Sequence, residues 1–309
     1  MNLHKHEKDF KELISIVAKH KNLPESAIER DYYIVMLLNN LANSNYSSLC
    51  VFKGGTSLSK CYPNSIDRFS EDIDLTYLGM NEDDNHCEKM IKKIEQTMTK
   101  GFSISKIKDE RNKRNKSSFV WFDNEKHKIK LEIGSSVRPD PYSLKKIKSY
   151  IQEYLEENNP EDVEKFDLKA VTLNVLNIER TFVDKLMSVK RHALCGTLST
   201  KVRHIYDVVR LYKLEEIKEF LIDHEKLKRI ISLTKETDSF YLTKRNISKK
   251  YNPASSYNFR EFKYCFSTEI RAIYESMHND LLYTNEKQDF EEAIRTFSEI
   301  DDLLKIIGE

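Results

Sequence analysis

The sequence predicts an α+β first half followed by an all-helical second half. Three observations carry this. Apolar residues recur at helical spacing over the first 45 residues, short alternating runs dominate from about residue 50 to 176, and helical spacing returns from Glu179 almost to the end. The expected division is 1–178 for a mixed domain and 179–309 for a helical one.

In chain order, "FKELISIVAKH" and "PESAIERDYYIVMLLNNLA" read as helices, with Ser26 and Glu29 of the second at capping-box spacing. "SSLCVF" reads as a short strand running into Gly54-Gly55, and "TSLSKCY" as a helix start stopped by Pro63. "EDIDLTYL" alternates as a strand, and residues 81–100 form a charged helix. "FSISKI", "SSFVWF", "IKLEIGSSV" and "VTLNVL" complete the strand set. The second half offers five helices: "ERTFVDKLMSVKRHAL", "TKVRHIYDVVRLYKL", "EEIKEFLIDHEKLKRII", "REFKYCFSTEIRAIYESM" and "FEEAIRTFSEIDDLLKII". Thr243 to Asn258, with Pro253, reads as a loop. There is no internal repeat.

Composition excludes little. The 51 basic residues nearly cancel the 50 acidic ones, so only local clustering can point to a nucleic acid. Five cysteines, no two within four residues, form no CxxC pair and read as reduced thiols. The N-terminal "MNLHKHEKDF" lacks a signal-peptide core, and the longest charge-free run, Tyr32 to Phe52, is too rich in Asn and Ser to span a membrane. The expectation is a cytoplasmic protein without a membrane partner. The nine histidines form no HExxH, and no GxSxG serine occurs.

The chemistry concentrates in "VFKGGTSLSKCYPNSIDRFSEDIDL", Val51 to Leu75, which spends two of only seven glycines side by side. On a strand, residues i and i+2 share a face, so Asp72 and Asp74 point one way and Ile73 and Leu75 the other. Two such carboxylates reach one divalent cation, or bridge two about 3.5–4 Å apart. Hard oxygen ligands suit Mg²⁺ or Mn²⁺. A Gly-Gly between strand and helix lets backbone N–H groups approach a phosphate, and Thr56 adds a hydroxyl at the helix N-terminus. Taken alone, a Gly-Gly turn is usually structural and a DxD strand usually a solvated edge. Strand, Gly-Gly, helix and DxD strand within 25 residues is far more specific.

"FKGGTSLSK…RFSEDIDL" resembles the nucleotidyltransferase superfamily and, within it, the AbiEii/AbiGii (MenT-like) toxin family of toxin–antitoxin and phage-defence systems. The resemblance covers most of the chain. It implies a polymerase-beta-like mixed sheet with flanking helices and a helical C-terminal domain. It also implies two-metal catalysis, with a hydroxyl attacking the α-phosphate of an NTP. Nucleotide binding would fall to Gly54, Gly55, Thr56, Ser57, Lys60 and Arg68, with Ser70 in support. Asp72 and Asp74 would bind metal. For the third acid, Glu132 in "KIKLEIG" has the required polar-out alternation, and Asp123 at a turn is the competitor. The family's Lys and Asp of the helical half match Lys185, which would contact the triphosphate, and Asp207, as base on the acceptor hydroxyl or as the group that orients Lys185. Arg191 and Arg203 are nearby candidates for phosphate.

Two basic stretches bear on the acceptor. Lys100 to Lys116 carries seven bases against two acids, with Arg111, Lys113 and Arg114 at an expected hairpin tip. Tyr241 to Lys263 carries six bases against one acid, interleaved with Tyr241, Tyr251, Tyr257, Phe259 and Phe262, as a surface for folded or single-stranded RNA would. The resemblance implies tRNA as acceptor and a separately encoded antitoxin as partner. The rival readings are transfer to a protein or small-molecule hydroxyl, and a non-catalytic module that binds nucleotide or a partner.

Overall fold

Alternation places the strands. In β2 (Asp72–Tyr77) Ile73 and Leu75 are buried while Asp72 and Asp74 are half-buried, and β5 (His127–Gly134) repeats this with Ile129, Leu131 and Ile133 inward. The structure, a computed structural model, describes residues 1–122, 127–243, 250–280, 282 and 288–309. Contacts divide the chain into two units. The first comprises Met1–Cys61, Phe69–Ser135 and Tyr142–Val175; the second comprises Tyr62–Arg68, Ser136–Pro141 and Leu176–Glu309.

The first unit is built on one mixed sheet. With β1 (Cys50–Lys53), β3 (Ser103–Lys106), β4 (Asn115–Phe122), β6 (Tyr142–Ile147) and β7 (Val171–Leu176), the order is β3-β4-β5-β2-β1-β7-β6. β1 pairs antiparallel with β2 and parallel with β7, while β2 pairs parallel with β5. Helices α1 (Glu7–Lys21), α2 (Glu25–Ala42) and α4 (Asp84–Met98) supply the apolar cover, with α4 packed on β4 and β5 and α2 packed on α1 and α4. Cys87, Ile91, Ile94 and Met98 make the buried stripe of α4, at spacings of three and four. Asp83 caps that helix, accepting from the N–H groups of Asn85 (2.9 Å) and His86 (3.0 Å). The α3 helix (Gly54–Cys61) follows β1 directly.

The second unit is helical: α7 (Ile178–Leu194), α8 (Val202–Tyr212), α9 (Glu215–Ile222), α10 (His224–Thr243), α11 (Thr268–Asp280) and α12 (Phe290–Ile306). Helix α7 packs against α8, α9 and α10. The class is therefore the expected one: a mixed sheet with flanking helices, then a helical region.

Several local expectations change. The Ser26/Glu29 capping box is not formed, because α2 starts at Glu25 after Pro24 and both residues lie inside the helix. "EEIKEFLIDHEKLKRII" is two helices, since Asp223 ends α9 and then accepts from Lys226 N–H at 3.0 Å to start α10. "REFKYCF" is not helix. It forms two 3₁₀ turns, Phe259–Glu261 and Lys263–Cys265, which let Phe259 and Phe266 converge on Phe297 and Phe266 meet Phe290, with Phe262 edge-on against Phe259. Strand β6 and helices α5 (Tyr150–Asn158) and α6 (Pro160–Lys165) had not been expected. All five cysteines are free thiols, and no helix among the described residues is long and apolar enough to cross a membrane.

Candidate active site

The first unit assembles the glycine turn and the acids through its sheet register. Lys53 of β1 pairs with Asp74 of β2, and Asp74 with Glu132 of β5. Residues directly paired across strands point to one face, about 4.8 Å apart per strand. Asp74 and Glu132 are thus lateral neighbours, and Asp72 pairs with Lys130 in the next row. Gly54 sits at φ +88°, where an L side chain is strained. A Cβ there would collide with Oδ2 of Asp74 and stand 3.1 Å from its Cγ, so the missing side chain makes the room that the carboxylate occupies.

The hydroxyls beside the turn are engaged locally. Thr56 Oγ1 lies 2.5 Å from the Asp72 carbonyl oxygen, to which it donates, and 3.0 Å from Ser70 Oγ. Ser57 Oγ donates to the Gly54 carbonyl at 2.9 Å, and the Thr56 and Ser57 side chains are buried. Thr56 therefore ties α3 to the first residue of β2, and the turn's resource for an anion is backbone N–H at the start of α3.

Lys130 stands among the acids, with Nζ 2.7 Å from Glu110 Oε2 and 3.7 Å from Glu132 Oε2. Burial by itself lowers its pKa. The Glu110 hydrogen bond and the charges of Glu132, Glu110 and Asp72 outweigh that and raise it. Among the described residues no three His, Cys, Asp or Glu side chains gather as a ready metal cage. Asp123, the alternative third acid, lies outside the described residues.

In the second unit Arg68, Lys185 and Asp207 meet. Asp207 is fully buried and takes a two-point contact from Arg68, Nε to Oδ1 at 2.6 Å and Nη2 to Oδ2 at 2.8 Å. Lys185 Nζ lies 2.6 Å from Asp207 Oδ2. Burial pushes the Asp207 carboxyl up, but the charges of Arg68 and Lys185 overcome it and hold the group well below the usual carboxylate range. One turn along, His204 Nδ1 meets Ser188 Oγ at 3.0 Å, and burial, then Lys185, keeps that imidazole far below its ordinary pKa.

A model of the family described as nucleotidyl transferase AbiEii toxin, type IV TA system, matches residues 36–297. The chain belongs to this AbiEii family. It is thus a nucleotidyltransferase of the toxin kind. No curated protein matches the chain. Among solved structures it is similar to the nucleotidyltransferase toxin MenT4 of Mycobacterium tuberculosis H37Rv, at 17% identity over 95% of this chain and 98% of that one, with a TM-score of 0.49. It is also similar to JHP933 of Helicobacter pylori, at 19% identity over 83% of this chain and 95% of that one, with a TM-score of 0.39.

In this AbiEii-family chain several of the expected site residues have partners within the protein. Lys60, expected at the nucleotide, closes a buried ion pair with Asp31, Nζ to Oδ1 at 2.7 Å, above the Tyr150 ring. Asp31 also accepts from Tyr150 N–H at 2.7 Å, so Lys60 braces α3. Arg68, also expected at the nucleotide, makes its two-point contact with Asp207, and Asp207, expected as base or as the group that orients Lys185, is in contact with Lys185. Arg191 pairs with Asp238 at 2.7 Å, and Arg203 is exposed.

The basic stretches also have partners within the chain. Arg111 grips Glu95 at two points, 2.6 and 2.7 Å, and also donates to Ser117 O and Ser118 Oγ. Arg114 is buried, bonded to Asp84 and to the carbonyls of Gly79, Met80, Glu82 and Ser135. Of that trio only Lys113 is exposed with a neutral partner, Asn85. Tyr251, Tyr257, Phe259 and Phe262 are core residues, while the side chain of Tyr241 and residues Lys244, Arg245 and Lys249 lie outside the described set. The signal missed was acid spacing: Glu95 and Asp84 sit on one charged helix, ready to receive the arginines of the following hairpin.

Proposed function

We propose that this chain transfers the NMP group of an NTP to an acceptor hydroxyl, with tRNA as the acceptor, in a Mg²⁺- or Mn²⁺-dependent reaction restrained by a cognate antitoxin. The observation that carries this is the register of Gly54, Asp74 and Glu132, in which the turn and the acids depend on one another for space. Asp72 and Asp74 would hold the ion, with Glu132 as third ligand. Two or three carboxylates leave coordination positions for phosphate and water, which suits Mg²⁺. The ion would supply charge neutralisation and in-line positioning at the α-phosphate. The α3 N-terminal backbone of Gly54, Gly55 and Thr56 would receive phosphate oxygens, with Ser57 holding the turn's shape. Lys185 is assigned to the triphosphate charge, and Asp207, gripped by Arg68, fixes where its ammonium stands. In the reaction the acceptor oxygen bonds to the α-phosphorus and diphosphate leaves. The chain is read as acting in the cytoplasm.

The test is incubation with each radiolabelled NTP, Mg²⁺ and either total RNA or total protein. We expect label in small RNA, and none with Asp74→Ala or with chelator. Label in protein, or label that survives Asp74→Ala, would overturn the respective part of the reading.

A further inference from the structure

The sheet face that carries the acids continues outward. Register carries Asp72 to Lys130, Lys130 to Phe119 and Phe119 to Ser105, while the adjacent row runs from Lys128 to Trp121 and Ser103. Phe119 and Trp121 thus lie on the same face as Asp72 and Asp74; Phe119 stands in the row of Asp72, about 10 Å away at two strand spacings, and Trp121 stands one row further from the acids. Both rings are half-buried rather than packed in the core, and the outer strand contributes only the exposed Ser103 and Ser105 beside them. Trp121 Nε1 donates to Ser105 Oγ at 2.8 Å, which fixes the indole plane. The exposed Lys128 holds its ammonium 4.1 Å from the Phe119 ring centre and 5.3 Å from that of Trp121.

We propose that Phe119 and Trp121 form a stacking platform for a single-stranded RNA end, which leads the acceptor hydroxyl toward Asp72 and Asp74. The proposal rests on the transferase reading, since it names where that reaction's acceptor docks. Ring faces accept any base, and a lysine above them exchanges its ring contact for a backbone phosphate when a base arrives. Charge complementarity favours a polyanion: Lys128 and Lys53, at opposite ends of this face, make no ion pair among the described residues, and the carboxylates between them would meet phosphate through their metal. A protein partner is disfavoured because the open part of the face has rings, serines and charges but no exposed aliphatic side chain.

Trp121 is the only tryptophan in the sequence, so its fluorescence reports on this platform alone. Titrating the full chain, without NTP, with a single-stranded RNA decamer should give saturable quenching that weakens as salt rises. Phe119→Leu keeps apolar volume while removing the ring, and should weaken the dissociation constant about tenfold, the worth of roughly one stacked base. Circular dichroism checks that this variant folds. No quenching, or unchanged affinity in Phe119→Leu, would overturn the platform. So would equal quenching by NTP alone, which would assign the rings to the donor base. RNA labelling without quenching removes the platform and leaves the transferase reading; quenching without labelling keeps the platform and removes that reading.

Discussion

At position 54 a backbone requirement and a chemical one coincide. The residue takes φ +88°, and Asp74 Oδ2 occupies the space where its side chain would be. Gly101 shares the φ of +88° but has nothing within 4 Å of its virtual Cβ. The pair makes an internal control. Gly101→Ala should cost about 1–2 kcal/mol of stability through backbone strain and leave nucleotide transfer intact. Gly54→Ala should cost at least that much and also abolish Mg²⁺-dependent labelling, because Asp74 must move. Denaturant unfolding and the labelling assay read the two effects, and equal activity in both variants would refute the coupling. The sequence made both halves visible, the glycines by rarity and the acids by alternation. It did not reveal that they touch, because contact depends on the β1–β2 register, and nothing local in "CVFKGG" fixes that.

At the scale of elements, α7 and α8 are joined through buried charge. Replacing Asp207 by Asn would leave the guanidinium of Arg68 and the ammonium of Lys185 buried without their carboxylate, and should destabilise the chain by about 3–5 kcal/mol. The pH dependence has a definite sign. Asp207 has a depressed folded pKa, so its contribution is complete above the unfolded value near 3.9 and is lost as pH falls below it. Asp207→Asn should therefore flatten the acid limb of stability against pH, and an unchanged limb in equilibrium unfolding would contradict the assignment. Helix periodicity showed where α7 and α8 run, and their polar residues were legible as candidates. Their partners were not, because Arg68 reaches Asp207 across 139 residues. The partners of the hairpin bases were hidden for a related reason. A run such as "ERNKRNK" looks solvated until the acids of α4 are seen to face it.

At the scale of the whole molecule, one buried cation lowers stability at neutral pH. Lys190 is buried, and its Nζ donates to Ser255 O, Ser255 Oγ and Ser256 O at 2.7–3.1 Å. Burial, then the charge of Lys235, pulls its pKa down to about 8. Here the unfolded chain holds the proton more tightly, so the cost is full below pH 8 and fades as pH rises from about 8 toward the unfolded value near 10.4. Thermal unfolding of the intact chain should show a rise in stability over that window, and Lys190→Met should remove it; the same rise in both proteins would exclude Lys190 as its source. The covalent path carries a further consequence. The second unit takes residues 62–68 and 136–141 from the middle of the first, so no single cut releases either one. During synthesis Arg68 leaves the ribosome 139 residues ahead of Asp207. For that interval a cation destined for burial has no carboxylate to meet, so the unit that contains it can close only when the helical half arrives.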